Sequence, residues 1–182
     1  MTLPPTSTGP STGSSTATLR AATAADAPVI AELVRELAEY EREPQAATAG
    51  AEDFARALEP GTGIGCVLAE VAADGAPGGV EVAGMALWYT TFSTWQGRQG
   101  MWLEDLFVRP AHRRAGIGSA FFGELGRICA QRGFGRLEFS VLDWNTPAHA
   151  FYRALGALPQ DGWTVWRVDG ERLAALPGTT SS

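Results

Sequence analysis

Leu106-Phe107-Val108 ends an apolar run that stops at Arg109-Pro110, and Arg113-Arg114-Ala115-Gly116-Ile117-Gly118 follows just ahead of another apolar stretch. A strand, then a basic turn with two glycines, then a helix gathers partnerless backbone N–H groups at one spot. The helix dipole adds partial positive charge there, and the arginines add full charge. The chemistry is anion binding, with a phosphate-bearing ligand expected. Two phosphate loops are excluded. A P-loop needs Gly-Lys-Ser/Thr after its second glycine, where this chain has Gly118-Ser119-Ala120. A dinucleotide loop needs a third glycine where Phe121 stands. What remains is Arg-x-x-Gly-x-Gly between strand and helix. A basic turn whose glycines only fit a tight bend has the same letters.

Two further groups carry chemistry. Glu104 and Asp105 lie among Trp102, Leu103, Leu106 and Phe107. An acid in such company is costly unless it faces a wet cleft. Adjacent strand residues point to opposite faces, so the two acids are expected to serve different tasks. A strand-end carboxylate turned to solvent is the plainer alternative. Tyr152 stands one helical turn past His149 and two past Asn145. An ordinary half-buried tyrosine fits that position equally. His112 and His149 are the only histidines, and Cys66 and Cys129 the only cysteines, far apart. A metal site and a Ser-His-Asp triad are therefore poorly supported, and the thiols are expected to be reduced.

These groups must be positioned by one domain. The chain has 182 residues, 45% hydrophobic and 19% charged, with net charge −6. That suits a soluble α/β domain, argues against nucleic acid, and tolerates a cationic substrate. Residues 1–18 are rich in Ser, Thr, Gly and Pro and are expected to form a disordered tail, with 177–182 frayed. No signal peptide or membrane span is legible, so a cytoplasmic location is expected.

The expected order is β-α-α-β-β-β-α-β-α-β, a mixed sheet with helices on both faces. Thr18 to Ala21 reads as a strand. Val29, Ile30, Leu33, Val34 and Leu37 recur at helical spacing, so a helix should reach Tyr40. A short helix follows from Ala51 to Leu58. Ile64 to Val71 and Val80 to Phe92 read as a hairpin, and Met101 to Val108 as the strand feeding the anion turn. Gly116 to Gln131 should be a helix stopped by Gly133. Arg136 to Leu142 reads as a strand, which would put Glu138 and Ser140 on one face. Asn145 caps a helix to Leu155 with Pro147 in its first turn and Gly156 beyond its end. Trp163 to Val168 is expected as a last strand, with a short helix near Glu171.

Several blocks carry a resemblance. The anion turn, Glu36 to Glu41, Ser93 to Arg98, Leu103 to Val108, Val141-Leu142-Asp143-Trp144-Asn145, Phe151-Tyr152-x-x-Leu155-Gly156-Ala157 and Gly162-Trp163 together resemble the GNAT superfamily of N-acetyltransferases. They are closest to its diamine acetyltransferase branch, nearer the thialysine type than the polyamine type. The resemblance covers about Leu19 to Leu176 and implies one acetyltransferase domain over 19–176, using acetyl-CoA and no metal. Polyamine-type members carry an acidic residue near Ser93, and this chain has none there. The family usually has glycine at Arg114. Arginine tightens the allowed backbone angles but brings a cation, so binding is expected to survive.

The resemblance implies roles. Acetyl transfer needs a neutral amine, yet only about one in 2,500 molecules of a lysine-like amine is neutral at pH 7, a deficit of about 4.6 kcal/mol. The resemblance places a water-mediated general base at Glu104 and the general acid at Tyr152. A phenol delivering its proton to a coenzyme thiolate runs uphill by about 2 kcal/mol, which is tolerable. It further implies that Arg113, Arg114, Ala115, Gly116, Ile117, Gly118 and Ser119 hold the pyrophosphate. Leu106, Phe107 and Val108 would pair with the pantetheine arm like an added strand. Asn145, Ala148 and Tyr152 would form the second wall of the coenzyme site, although Asn145 is also explained by capping alone. The acceptor side would comprise Tyr40, Glu41, Trp95, Glu104, Asp105, Glu138, Ser140 and Asp161. Acids with an aromatic wall suit an ammonium-bearing small molecule. The branch implies a homodimer, with no membrane or nucleic-acid partner. The rival readings are a non-catalytic acyl-CoA-binding module and an acetyltransferase acting on a protein amino group.

Overall fold

A computed structural model describes residues 17–177. The expected tails fall on residues 1–16 and 178–182, which lie outside the described residues. By contacts the chain divides after Ser140 into two units.

The larger unit is a five-stranded mixed sheet in the order β1-β2-β3-β4-β5. β1 is Thr18–Ala21, β2 Ile64–Ala72, β3 Val80–Ser93, β4 Arg98–Val108 and β5 Leu137–Glu138. The first four pair antiparallel, and β5 joins β4 in parallel. Helices α1 (Ala27–Tyr40), α2 (Ala51–Ala57) and α3 (Ile117–Arg132) complete the unit. Alternation along β2 builds two cores. Val67 and Ala69 meet Ile117, Phe121 and Leu125 of α3 on one face. Cys66 and Leu68 meet Ile30, Leu33 and Leu37 of α1 on the other. The stripe read from the sequence for α1 is thus a buried one, and α3 buries Ile117, Phe121 and Leu125 on the opposite face of the sheet.

Burial sets the thiols apart. Cys66 is 4% exposed, and burial pushes its thiol up to about 12. Cys129 is half-buried and also shifted up by burial, with its Sγ 3.9 Å from Met101 Sδ.

Arg109, just past β4, ties the α1 side to the sheet. It donates to Val82 O at 2.9 Å and to Glu36 Oε1 at 2.7 Å, and it pairs with Glu32. Arg20 of β1 likewise bridges Asp26 and Glu70, at 2.7 and 2.6 Å. Asp26 is pulled down to about 2 by that guanidinium.

The smaller unit holds α4 (Thr146–Ala154) and α5 (Gly170–Ala174). Two sequence expectations need correction. The strand expected over 136–142 is only Leu137–Glu138, so Ser140 lies past its end and shares no strand face with Glu138. The strand expected over 163–168 does not form, and Trp163, Val165 and Trp166 are 75%, 81% and 90% exposed. A β-prone segment needs a neighbouring strand to settle, and its own unit offers none. The observed order ends α-α where α-β was expected.

Candidate active site

The anion turn is built as a helix start left open. α3 begins behind Gly116, whose φ of +79° is left-handed, and no side chain caps it. Its first intrahelical bond runs from Ala120 N–H to Gly116 O at 3.0 Å. The N–H groups of Ile117, Gly118 and Ser119 precede that bond and have no helical acceptor. Arg114 has a φ of +66°, the conformation that glycine adopts freely and arginine only under strain. Among the described residues Arg114 makes no hydrogen bond or ion pair, so its charge is available at this turn. Arg113 is engaged elsewhere. Its Nε donates to Val108 O at 2.9 Å, and its guanidinium lies 4.6 Å from the centre of the Tyr40 ring. Of the two cations expected on the turn, one is folded back over the end of α1.

A second open feature is the edge of β4. Its inner edge is paired with β3 up to Val108, but β5 reaches only Met101 and Trp102. Beside Leu103–Val108 no further strand lies on that side among the described residues. The main-chain groups of Leu106 to Val108 that face this side form a strand edge, with Val108 O accepting from Arg113 Nε and the rest open to an extended ligand.

Glu104 stands on an irregularity that the sequence does not announce. Leu87 faces Asp105 and Trp88 faces Leu103, so Glu104 is the extra residue of a β-bulge. Met101 and Leu103 reach the α3-side core, and so do Leu106 and Val108 beyond the bulge. Counting inward from both sides puts Glu104 and Asp105 together on the α1 face. The expectation that the two acids oppose each other is corrected, because the inserted residue breaks the alternation. Glu104 is exposed and accepts a hydrogen bond from Trp102 Nε1 at 2.9 Å. Asp105 is half-buried, and its carboxyl is raised to about 6, by burial first and then by the charges of Glu104 and Glu41. Glu41, the residue after α1, is itself raised by burial.

The structure therefore brings Glu104, Asp105 and Glu41 together, with Tyr40 at the end of α1 beside them. Trp95 is not in this group. It is 89% exposed at the β3–β4 tip, roughly 20 Å along the strand from Glu104. Glu138 sits opposite Trp102 in the β4–β5 register, and its carboxylate is paired with Arg136 at 2.6 Å.

In the smaller unit Asn145 caps α4 as expected, its Oδ1 accepting from Ala148 N–H at 3.4 Å. Tyr152 lies in the last turn, its ring centre 5.2 Å from that of Phe151. His149 Nε2 lies 3.1 Å from Leu142 O, which ties the loop to the helix. Asp161 follows in the loop beyond Gly156. The residues missed by sequence reasoning are Trp102 and Tyr89, which flank Glu104 on its face. Two-residue spacing from Trp102 to Glu104 was the available signal.

Comparison with known proteins identifies the family. The profile of the acetyltransferase (GNAT) family matches residues 30–157. The thialysine N-epsilon-acetyltransferase of Bos taurus is 38% identical over 159 residues, covering 82% of this chain and 90% of its own. The L-ornithine N5-acetyltransferase of Arabidopsis thaliana is 34% identical over 97 residues, 53% of this chain and 42% of that protein. Among solved structures, an integron cassette protein from the mobile metagenome of V. cholerae superposes with a TM-score of 0.71 at 23% identity, over 88% of this chain and 97% of that one. With an open helix start, an open strand edge and a raised carboxylate in one unit, and these matches along its length, the chain belongs to the acetyltransferase (GNAT) family, in its diamine acetyltransferase branch, and is an amine N-acetyltransferase.

Proposed function

We propose that this enzyme moves an acetyl group from acetyl-CoA to a primary amine of a small cationic molecule, a thialysine-like amino acid or a diamine, by direct transfer. The observation that carries this reading is Glu104 raised on a bulge of the same strand whose unpaired edge leads into the uncapped start of α3. The residues present suit the coenzyme. The N–H groups of Ile117, Gly118 and Ser119, with Arg114 and the Ala115-Gly116 turn, would hold its diphosphate. Leu106 to Val108 would pair with the pantetheine arm, and Asn145 and Ala148 would line its second wall. When bound, acetyl-CoA supplies an activated acetyl thioester. The acceptor is drawn to Glu41, Asp105 and Tyr40, and the names of the bovine and Arabidopsis relatives both denote amine acceptors.

Glu104 takes, through a bridging water, the proton that the acceptor ammonium must lose. The neutral nitrogen then attacks the acetyl carbon, and the C–N bond forms as the C–S bond breaks. Tyr152 gives its proton to the departing sulfur and is replenished by the second proton from nitrogen. One acetamide, one free thiol and one solvent proton result per turnover. Positioning and charge stabilisation perform the rest of the work. In this reading one domain spans 19–176 and acts as a cytoplasmic homodimer, with Trp95 serving the acceptor pocket of the second copy and with no nucleic-acid or membrane partner.

The test is thiol release from acetyl-CoA against a panel of diamines and S-aminoethylcysteine-like amino acids. Release that depends on the amine is expected. Failure of the purified protein to bind coenzyme A removes the reading, and binding without release with any amine would favour a non-catalytic module.

A further inference from the structure

The bulge lifts Glu104 out of the regular ladder. A glutamate on a half-open face has three side-chain torsions, and a base must hold its carboxylate within hydrogen-bond reach of the proton it takes. One group does this here. Trp102 shares the face of Glu104 by two-residue spacing, and its Nε1 lies 2.9 Å from Glu104 Oε2. No other hydrogen bond to that carboxylate is found among the described residues. Trp102 is itself held. It faces Tyr89 across the β3–β4 register, with ring centres 6.4 Å apart and planes tilted by 31°. The Tyr89 hydroxyl is shifted up by burial and by the charge of Glu104, in keeping with these three side chains forming one group.

We infer that Trp102 is a positioning residue for the general base: its indole N–H ties down one carboxylate oxygen, Oε2, and leaves Oε1 to receive the proton. This rests on the reading of Glu104 as the base. An indole N–H suits the task because it does not titrate in the working range and can only donate. The donor therefore stays in place when the carboxylate changes its protonation state.

The test is a double-mutant cycle followed by thiol release. Trp102→Phe keeps a ring against Tyr89 and removes only the donor. It should lower kcat about five- to tenfold, the range for losing one ordinary, partly exposed hydrogen bond. The KM for acetyl-CoA and the melting temperature should stay unchanged. On a Glu104→Gln background the same change should add no further loss. Should Phe pack poorly, the benzothienyl isostere of Trp102, equal in shape and lacking the N–H, is expected to give the same kcat loss. A native kcat in Trp102→Phe, or an equal loss on both backgrounds, overturns the inference while leaving Glu104 as the base. A native kcat in Glu104→Gln alone overturns both.

Discussion

Met101 and Glu104 stand three residues apart in β4, yet they belong to different kinds of structure. Around Met101 the strand is paired on both sides, with β3 and with β5, and the side chain is fully buried. From Leu103 onward the strand is paired on one side only, and it carries the bulge, both acids and the edge that leads to the anion turn. One half of the strand is stabilised by what it already touches. The other half keeps main-chain groups and carboxylates partly unsatisfied, and that deficit is what a ligand can fill. Stability and activity should therefore separate along a single strand.

The sharpest break is expected at Met101. Met101→Ala leaves a cavity beside Phe121 and Leu125 and should lower unfolding stability by about 2–5 kcal/mol. Chemical denaturation measures the loss, while kcat per folded molecule should hold. If kcat falls with stability intact, the division of the strand is wrong. Glu104→Gln is the converse. It should raise the melting temperature slightly at neutral pH, because Asp105 loses a like-charged neighbour, reduce kcat by about a hundredfold, equivalent to about 2.7 kcal/mol, and flatten the pH–rate profile. An unaltered profile would remove Glu104 from the chemistry.

Asp105 sharpens the contrast through pH. Its folded carboxyl titrates at about 6, above the ordinary value of 3.8. A raised value means that the neutral form favours folding. That contribution is complete below about 4 and is lost as pH rises through about 6. Asp105→Asn should therefore stabilise the protein by about 1–2 kcal/mol at pH 7.5 and give no gain near pH 4, while acceptor KM rises. Thermal melts at the two pH values decide it; a gain of equal size at both would show that the carboxyl is not strained by its charge. The smallest effect belongs to Arg114. Arg114→Gly relieves a left-handed backbone, for a gain of about 0.5–1 kcal/mol, and removes a cation, which should weaken acetyl-CoA binding several-fold. Calorimetric titration alongside melting would expose any case in which both change in the same direction.

The parts of this molecule that depend on local periodicity were readable beforehand. The α1 stripe from Ile30 to Leu37 is the buried one, Asn145 caps α4, and α3 starts one residue past the expected Gly116 and stops at Gly133. The anion turn was legible for the same reason, since its residues are contiguous. What escaped depends on distant partners. The bulge at Glu104 exists only in the pairing of β4 with Leu87 and Trp88 of β3, so no reading of β4 alone could place both acids on one face. The charge of Arg113 was expected on the turn, but its guanidinium donates to Val108 O and lies over the ring of Tyr40, more than seventy residues earlier. The segment from Trp163 to Val168 has strand composition, and composition supplies no neighbour to pair with.

The burial of Cys66 has a practical corollary. Product formation by an acetyltransferase is followed most directly by trapping the liberated coenzyme sulfur with an electrophile, and the enzyme's own sulfurs compete for that reagent. Because only the thiolate reacts, a side chain sealed in the α1-side core with its proton held to about 12 is silent toward the dye at neutral pH, and the shift at Cys129 acts in the same direction. The folded protein should thus give a flat baseline in such a readout, and a slow rise in colour without substrate would report molecules that have opened.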